Sequence, residues 1–182
     1  AKHPSVQLFN EYFGNGMNGI VFQEMREARG LAYSASADDV EPRQKDETEL
    51  FGRFIITQND KVIDALTHFD EITDNMPVSE AAFNIAKEGL LAQLRTQRFT
   101  GQRVLRYWES LQDVGLNTDI RRDLFNKVQD MTLADVTRYQ QQNLKSRSYY
   151  TCVLGDESQL DMDALARWGR IVRLTTEEIF GY

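Results

Sequence analysis

Met25-Arg26-Glu27-Ala28-Arg29-Gly30-Leu31-Ala32-Tyr33-Ser34 is where this chain changes from one kind of structure to another. Ile20, Val21, Phe22 and Met25 carry a helical pattern into it, and Gly30 stops the helix as a left-handed C′ residue. Residues 31–37 then read as a strand. Arg26 sits near the helix end and Tyr33 seven residues later on the strand, so a cation and a phenol converge beside a peptide backbone.

Working outward, residues 5–13 read as a helix, stopped by Gly14-Asn15-Gly16-Met17-Asn18-Gly19. Residues 49–57 predict a second strand, with Leu50, Phe54 and Ile56 on one parity. The stretch 38–47, which holds Pro42, Arg43 and Lys45 among five acids, predicts an exposed hairpin loop. Helical spacing follows through Val62, Leu66, Phe69 and Ile72, then through Ala82, Ile85, Ala86, Leu90 and Leu94. Val104, Leu105, Trp108 and Leu111 predict another helix, and Leu124, Phe125 and Val128 a short one. Thr132-x-x-Asp135 resembles a capping box that opens a helix through Leu144. Residues 149–154 predict a strand, 158–167 a short helix and 171–174 a last strand. This order is not the alternation of a doubly wound sheet. It predicts an α+β, two-layer domain in which a mostly antiparallel sheet is packed by helices.

The chain has 182 residues, the size of one domain, and opens at Ala1 without Met, which reads as a piece of a longer polypeptide. Its net charge of -7 argues against a nucleic-acid partner and against an anionic membrane surface. No apolar run is long enough to cross a bilayer, so no membrane insertion is expected. Cys152 is the one cysteine; its apolar surroundings in sequence predict a buried structural thiol, and it assigns no compartment.

Three constellations fall short as chemistry. Residues 14–19 match G-x-G-x-x-G, with Asp39 at a ribose-contact distance downstream, but a helix precedes them where a dinucleotide site needs a strand. A dinucleotide-binding enzyme is therefore the third reading only. His68-Phe69-Asp70-Glu71-Ile72 lacks the second histidine of H-x-x-E-H, and His68 reads as a surface or partly buried helical residue. The pairs Asp38-Asp39 and Glu177-Glu178 read as solvated acids. Arg26 and Tyr33 remain: a guanidinium fork that holds a carbonyl and a hydroxyl that donates to a developing oxyanion. On the residues alone, a surface helix end with Tyr33 in the core stands equally open.

Residues 8–17, from Leu8-Phe9-Asn10-Glu11-Tyr12-Phe13-Gly14, and the Arg26-Glu27-x-Arg29-Gly30-Leu31-x-Tyr33 segment resemble the non-catalytic, C-terminal-type domain of insulinase/pitrilysin/mitochondrial processing peptidase zinc metallopeptidases. Glu80 to Lys87, Met131-Thr132-Leu133-Ala134-Asp135-Val136 and Val153-Leu154-Gly155-Asp156 extend the resemblance over nearly the whole chain. The resemblance implies a metal-free copy of the peptidase repeat. Arg26 and Tyr33 would be substrate-binding residues that hold a peptide near the scissile bond, with no catalytic or metal-binding residue in this chain. Zinc would sit on a separate catalytic domain, of the same or a partner chain. The first helix, with Leu8-x-x-Glu11-Tyr12, would take the place of the zinc helix without its histidines. The family's domains begin with strands ahead of that helix, so residues 1–182 are expected to be a single non-catalytic domain truncated at its N-terminal strands. The alternative is a scaffold domain of the same fold with no part in proteolysis. The sequence assigns no compartment; for a bacterial source the expectation is the periplasm, the cell envelope or the cytoplasm.

Overall fold

The computed structural model describes residues 3–42, 44 and 46–181; Arg43 and Lys45, assigned above to the hairpin loop, lie outside the described residues. Helix α1 (His3–Phe9) continues as a π-helical turn, Asn10–Gly14. Helix α2 (Ile20–Phe22) continues likewise as Gln23–Ala28. Strands β1 (Ser34–Val40) and β2 (Leu50–Ile56) form an antiparallel hairpin, with Ser34 opposite Ile56 and Val40 opposite Leu50. Helices α3 (Val62–Asp74), α4 (Glu80–Thr96), α5 (Gln102–Asp113), α6 (Arg121–Asp130) and α7 (Leu133–Asn143) follow. Short helices α8 (Met162–Leu165) and α9 (Thr176–Phe180) close the chain.

The core is built around α1 and its π turn. Val6, Leu8, Phe9, Tyr12 and Phe13 are fully buried, and the rings of Phe9 and Phe13 stack at 5.1 Å. The π turn widens the buried face, so nearly every side from Leu8 to Gly14 meets protein. Tyr12 is a large residue to bury, and its hydroxyl is satisfied on both sides. It donates to the Pro77 carbonyl at 2.8 Å and accepts from the Ser79 N–H at 3.0 Å, which ties α1 to the start of α4. Ser79 then caps α4 by accepting from the Ala82 N–H.

Helix and hairpin meet at backbone distance. A Cβ on Gly14 would lie 1.6 Å from the carbonyl oxygen of Ala37. Beside it, the Asn10 amide donates to the Asp39 carbonyl at 2.9 Å and accepts from the Asp39 N–H at 2.8 Å. One side chain thus pairs with the free edge of β1 as a neighbouring strand would. Asp39 itself is buried and accepts from the Tyr139 hydroxyl of α7, so it is not the solvated acid expected from its neighbourhood in sequence. β1 also begins three residues later than the expected 31–37 and runs on through Asp38, Asp39 and Val40, which shortens the loop.

On β2 the side chains alternate as the parity of Leu50, Phe54 and Ile56 predicts, but those three face solvent. Phe51 and Ile55 point to the core on the other face, and Arg53 does the work of a staple there. Its guanidinium lies 4.1 Å from the Tyr149 ring and 5.3 Å from Phe69, and donates to Asp70 at 2.6 Å. Asp70 also accepts from the Trp168 indole at 2.7 Å, so one carboxylate fixes the C-terminal segment to the hairpin.

The two late strands do not form. Residues 149–154 and 171–174 carry no ladder, and Tyr150 and Leu154 are fully exposed. A strand needs a hydrogen-bonding neighbour as well as β-branched and aromatic residues. Among the described residues the only sheet is the β1–β2 hairpin. The α+β class therefore holds, with a sheet smaller than expected. Cys152 falls in the same unpaired segment and is exposed rather than buried.

Gly14→Ala is expected to cost on the order of 3 kcal/mol, because backbone must shift to admit the methyl group. Asn10→Ala should cost a similar amount, about 3 kcal/mol, by leaving two buried backbone groups of Asp39 unpaired. Urea denaturation reads both; an unchanged midpoint for either variant would remove that contact from the account.

Candidate functional site

The π turn Gln23–Ala28 brings Arg26 to the edge of the hairpin. Gly30 takes a φ of 57°, the left-handed turn expected of it, and its N–H donates to the Arg26 carbonyl at 3.0 Å. Leu31 and Ala32 both donate to the Met25 carbonyl, at 2.8 and 3.1 Å. Met25 is fully buried, so this end of the helix is anchored from below while Arg26 stays above it. Tyr33 directly precedes β1 and donates its N–H to the Ile56 carbonyl at 2.8 Å.

The two side chains meet. The Arg26 guanidinium carbon is 5.6 Å from the Tyr33 ring centroid and 5.1 Å from that of Phe22. Two rings therefore bracket the cation, an arrangement worth about 0.5–1 kcal/mol at an exposed site. Among the described residues the carboxylate that contacts it is Glu27, at 3.8 Å with both side chains about half exposed, a contact that counts for little in water. Tyr33 is 76% exposed, so it is not a core residue. The guanidinium fork and the phenol hydroxyl are both presented to solvent on a rigid backbone.

Contacts from α3 and from the segment ahead of it hold this turn. His68 is buried, with Nδ1 3.0 Å from Glu71 and Nε2 3.5 Å from Glu24, which stands two residues before Arg26. It is thus more buried than expected, as a packing contact of the π turn. Lys61, just ahead of α3, donates to the Gly30 carbonyl at 3.1 Å, and Thr57 donates to the Leu31 carbonyl at 2.6 Å. Between these segments lies a groove of about 310 Å³, with Gly30, Tyr33, Ile56, Gln58 and Lys61 on its walls. Phe22 and Lys61 were not picked out from the sequence. Phe22 had a local signal, since it lies four residues before Arg26 on the same helix. Lys61 had none, because its place depends on how α3 returns to the turn.

The other candidates separate from this site. A helix feeds the glycines at 14–19 and the sheet is antiparallel, which removes the dinucleotide reading. Among the described residues no group of three or more His, Cys, Asp or Glu is placed to hold a metal ion. Glu11 lies beside Asp38 of β1. Burial, and then the charge of Asp38, pushes the Glu11 carboxyl up from its ordinary value. Burial, and then Asp39, does the same to Asp38. Among the described residues no helix is long and apolar enough to cross a membrane.

Residues 1–90 match the family model of the peptidase M16 inactive domain. Over these residues the chain is similar to that non-catalytic peptidase family. A search of curated proteins finds no match. Among solved structures, a peptidase M16 inactive domain from Pseudomonas fluorescens is similar at a TM-score of 0.62 and 20% identity, over 79% of this chain and 34% of that one. A protease from Helicobacter pylori is similar at a TM-score of 0.58 and 13% identity, over 78% of this chain and 34% of that one. These likenesses concern the fold. This chain spans about a third of the length of each.

The Glu11–Asp38 pair makes a pH prediction. Carboxylates whose midpoints are raised on folding favour the folded state below their ordinary values of 4.5 and 3.8, and that contribution is lost as pH rises through the raised midpoints. In Asp38→Asn the Glu11 midpoint should fall toward the ordinary glutamate value, and stability should decline less as pH rises above 4.5. Carboxyl NMR titration alongside urea melts measures this; a Glu11 midpoint that ignores the substitution would contradict it.

Proposed function

We propose that this chain is a substrate-binding, non-catalytic domain of a zinc metalloendopeptidase that degrades or processes peptides. The observation that carries the reading is the pairing of Arg26 with Tyr33, with both polar ends exposed on a backbone fixed by Gly30, Met25 and Ile56. Had these residues served only the core, Tyr33 would be buried. The guanidinium holds a substrate carbonyl through its fork of N–H donors. The Tyr33 hydroxyl donates to the oxygen that gains charge as the peptide bond is attacked. Metal-assisted hydrolysis belongs in this reading to a separate zinc-bearing domain, on the same or a partner chain. The residues of this chain bind and orient the peptide and take no proton from it. The scaffold alternative would leave the paired, exposed Arg26 and Tyr33 without a role.

The test is made in the complete peptidase. Arg26→Ala and Tyr33→Phe should each lower kcat/KM for peptide cleavage by about 10²-fold, the scale for losing one donor to a developing oxyanion. Thermal melts should stay close to those of the unsubstituted enzyme. Cleavage at the original rate by both variants would reject the assignment.

A further inference from the structure

The groove beside Tyr33 holds a second cation that the peptide-holding pair does not use. Lys61 lines it and spends one hydrogen bond on the Gly30 carbonyl at 3.1 Å. An ammonium has three N–H donors, so two remain for a ligand. Among the described residues no carboxylate pairs with Lys61. Its neighbour Asp60 lines the adjoining groove with Asn59 and Gln159 instead. Arg26, which also packs against the Tyr33 ring, has among the described residues one carboxylate contact, Glu27 at 3.8 Å. In a chain with a net charge of -7, two cations thus flank Tyr33 with little compensation. The wall between them is uncharged: Gly30, Ile56 and the Gln58 amide. At about 310 Å³ the groove has room for one or two side chains of an extended peptide, and lies at the small end of ligand clefts.

We infer that Lys61 and the groove it lines form a subsite for a carboxylate carried by the bound peptide, so that this domain selects acidic peptides. The inference rests on the peptide-binding role of Arg26 and Tyr33 and adds a specificity to it. Lys61 meets the carboxylate with its two free N–H groups, and the Gln58 amide offers a further donor. The carboxylate comes from an acidic side chain or from the peptide's C-terminus, which share this chemistry.

The experiment measures binding of fluorescent, N-acetylated peptides to the complete peptidase by anisotropy. The peptides differ only by Glu or Gln at one internal position, and each is made with a free and an amidated C-terminus. The unsubstituted protein should bind the Glu peptide about fivefold tighter than the Gln peptide, the upper range for a partly exposed ion pair. That preference should vanish in about 1 M salt. Lys61→Met should abolish it, and Lys61→Arg should keep it, which separates charge from disturbance of the Gly30 turn. A preference carried by the free C-terminus and not by Glu assigns the subsite to the terminal carboxylate; the reverse assigns it to the side chain. Equal binding of all four peptides by the unsubstituted protein, or a preference that survives Lys61→Met, overturns the subsite. Arg26→Ala should weaken all four peptides alike. If it changes none of them, the underlying peptide-binding role fails, whatever Lys61 does.

Discussion

The close approach of the first helix to β1 is the constraint on which the rest of this domain depends. Gly14 lets the helix backbone touch the strand at Ala37, and Asn10 on the same π turn closes two hydrogen bonds onto Asp39. Neither works alone. A side chain at Gly14 would lift the helix out of reach of Asp39, and loss of the Asn10 amide would leave a buried strand edge unpaired. With the helix seated, Phe9 and Phe13 fill the space beneath the hairpin and Phe9 reaches the Tyr139 ring of α7 at 5.4 Å. Tyr12, on the other side, sets where α4 starts. The hairpin is then rigid enough for its first residues to carry a site.

Much of this was legible because it is local. Helical spacing places α3, α4, α6 and α7. The capping box at Thr132 forms as expected, with Asp135 accepting from the Thr132 N–H at 2.9 Å. The Gly30 stop needs only the left-handed conformation that glycine adopts freely. The nearness of Arg26 to Tyr33 was legible for the same reason, since a helix ends and a strand begins within a few residues; whether Tyr33 faced the core or solvent was not.

What escaped the sequence depends on partners distant along the chain. Asp39 looks solvated beside Asp38, until Tyr139, a hundred residues away, supplies its hydroxyl. Residues 149–154 have the composition of a buried strand, but composition cannot supply the second edge of a ladder. Here Arg53 and Phe51 hold Tyr149 by its ring, and the residues after it stay unpaired. The parity of Leu50, Phe54 and Ile56 was correct and its meaning was not. Periodicity tells which residues share a face, not which face meets the core. The core face went to Phe51, Arg53 and Ile55, which leaves an apolar outer surface on the hairpin next to Tyr33.

That placement bears on why the site holds its cation with rings rather than with carboxylates. A buried acid beside Arg26 would fix the guanidinium more firmly, but it would occupy the donors that a ligand needs. Phe22 and Tyr33 position the group through its face and leave the N–H edge free. Several carboxylates of this acidic chain are engaged elsewhere: Asp70 with Arg53 and Trp168, Asp39 in the core, and Glu24 and Glu71 with His68. His68 is no free imidazole for chemistry: it braces α3 against the turn that bears Arg26. A site made of a bracketed guanidinium, an exposed phenol and a backbone pinned from beneath is organised to present donors, and nothing in it is poised to be consumed. The proposed role, holding a peptide for another domain to cut, asks for that organisation.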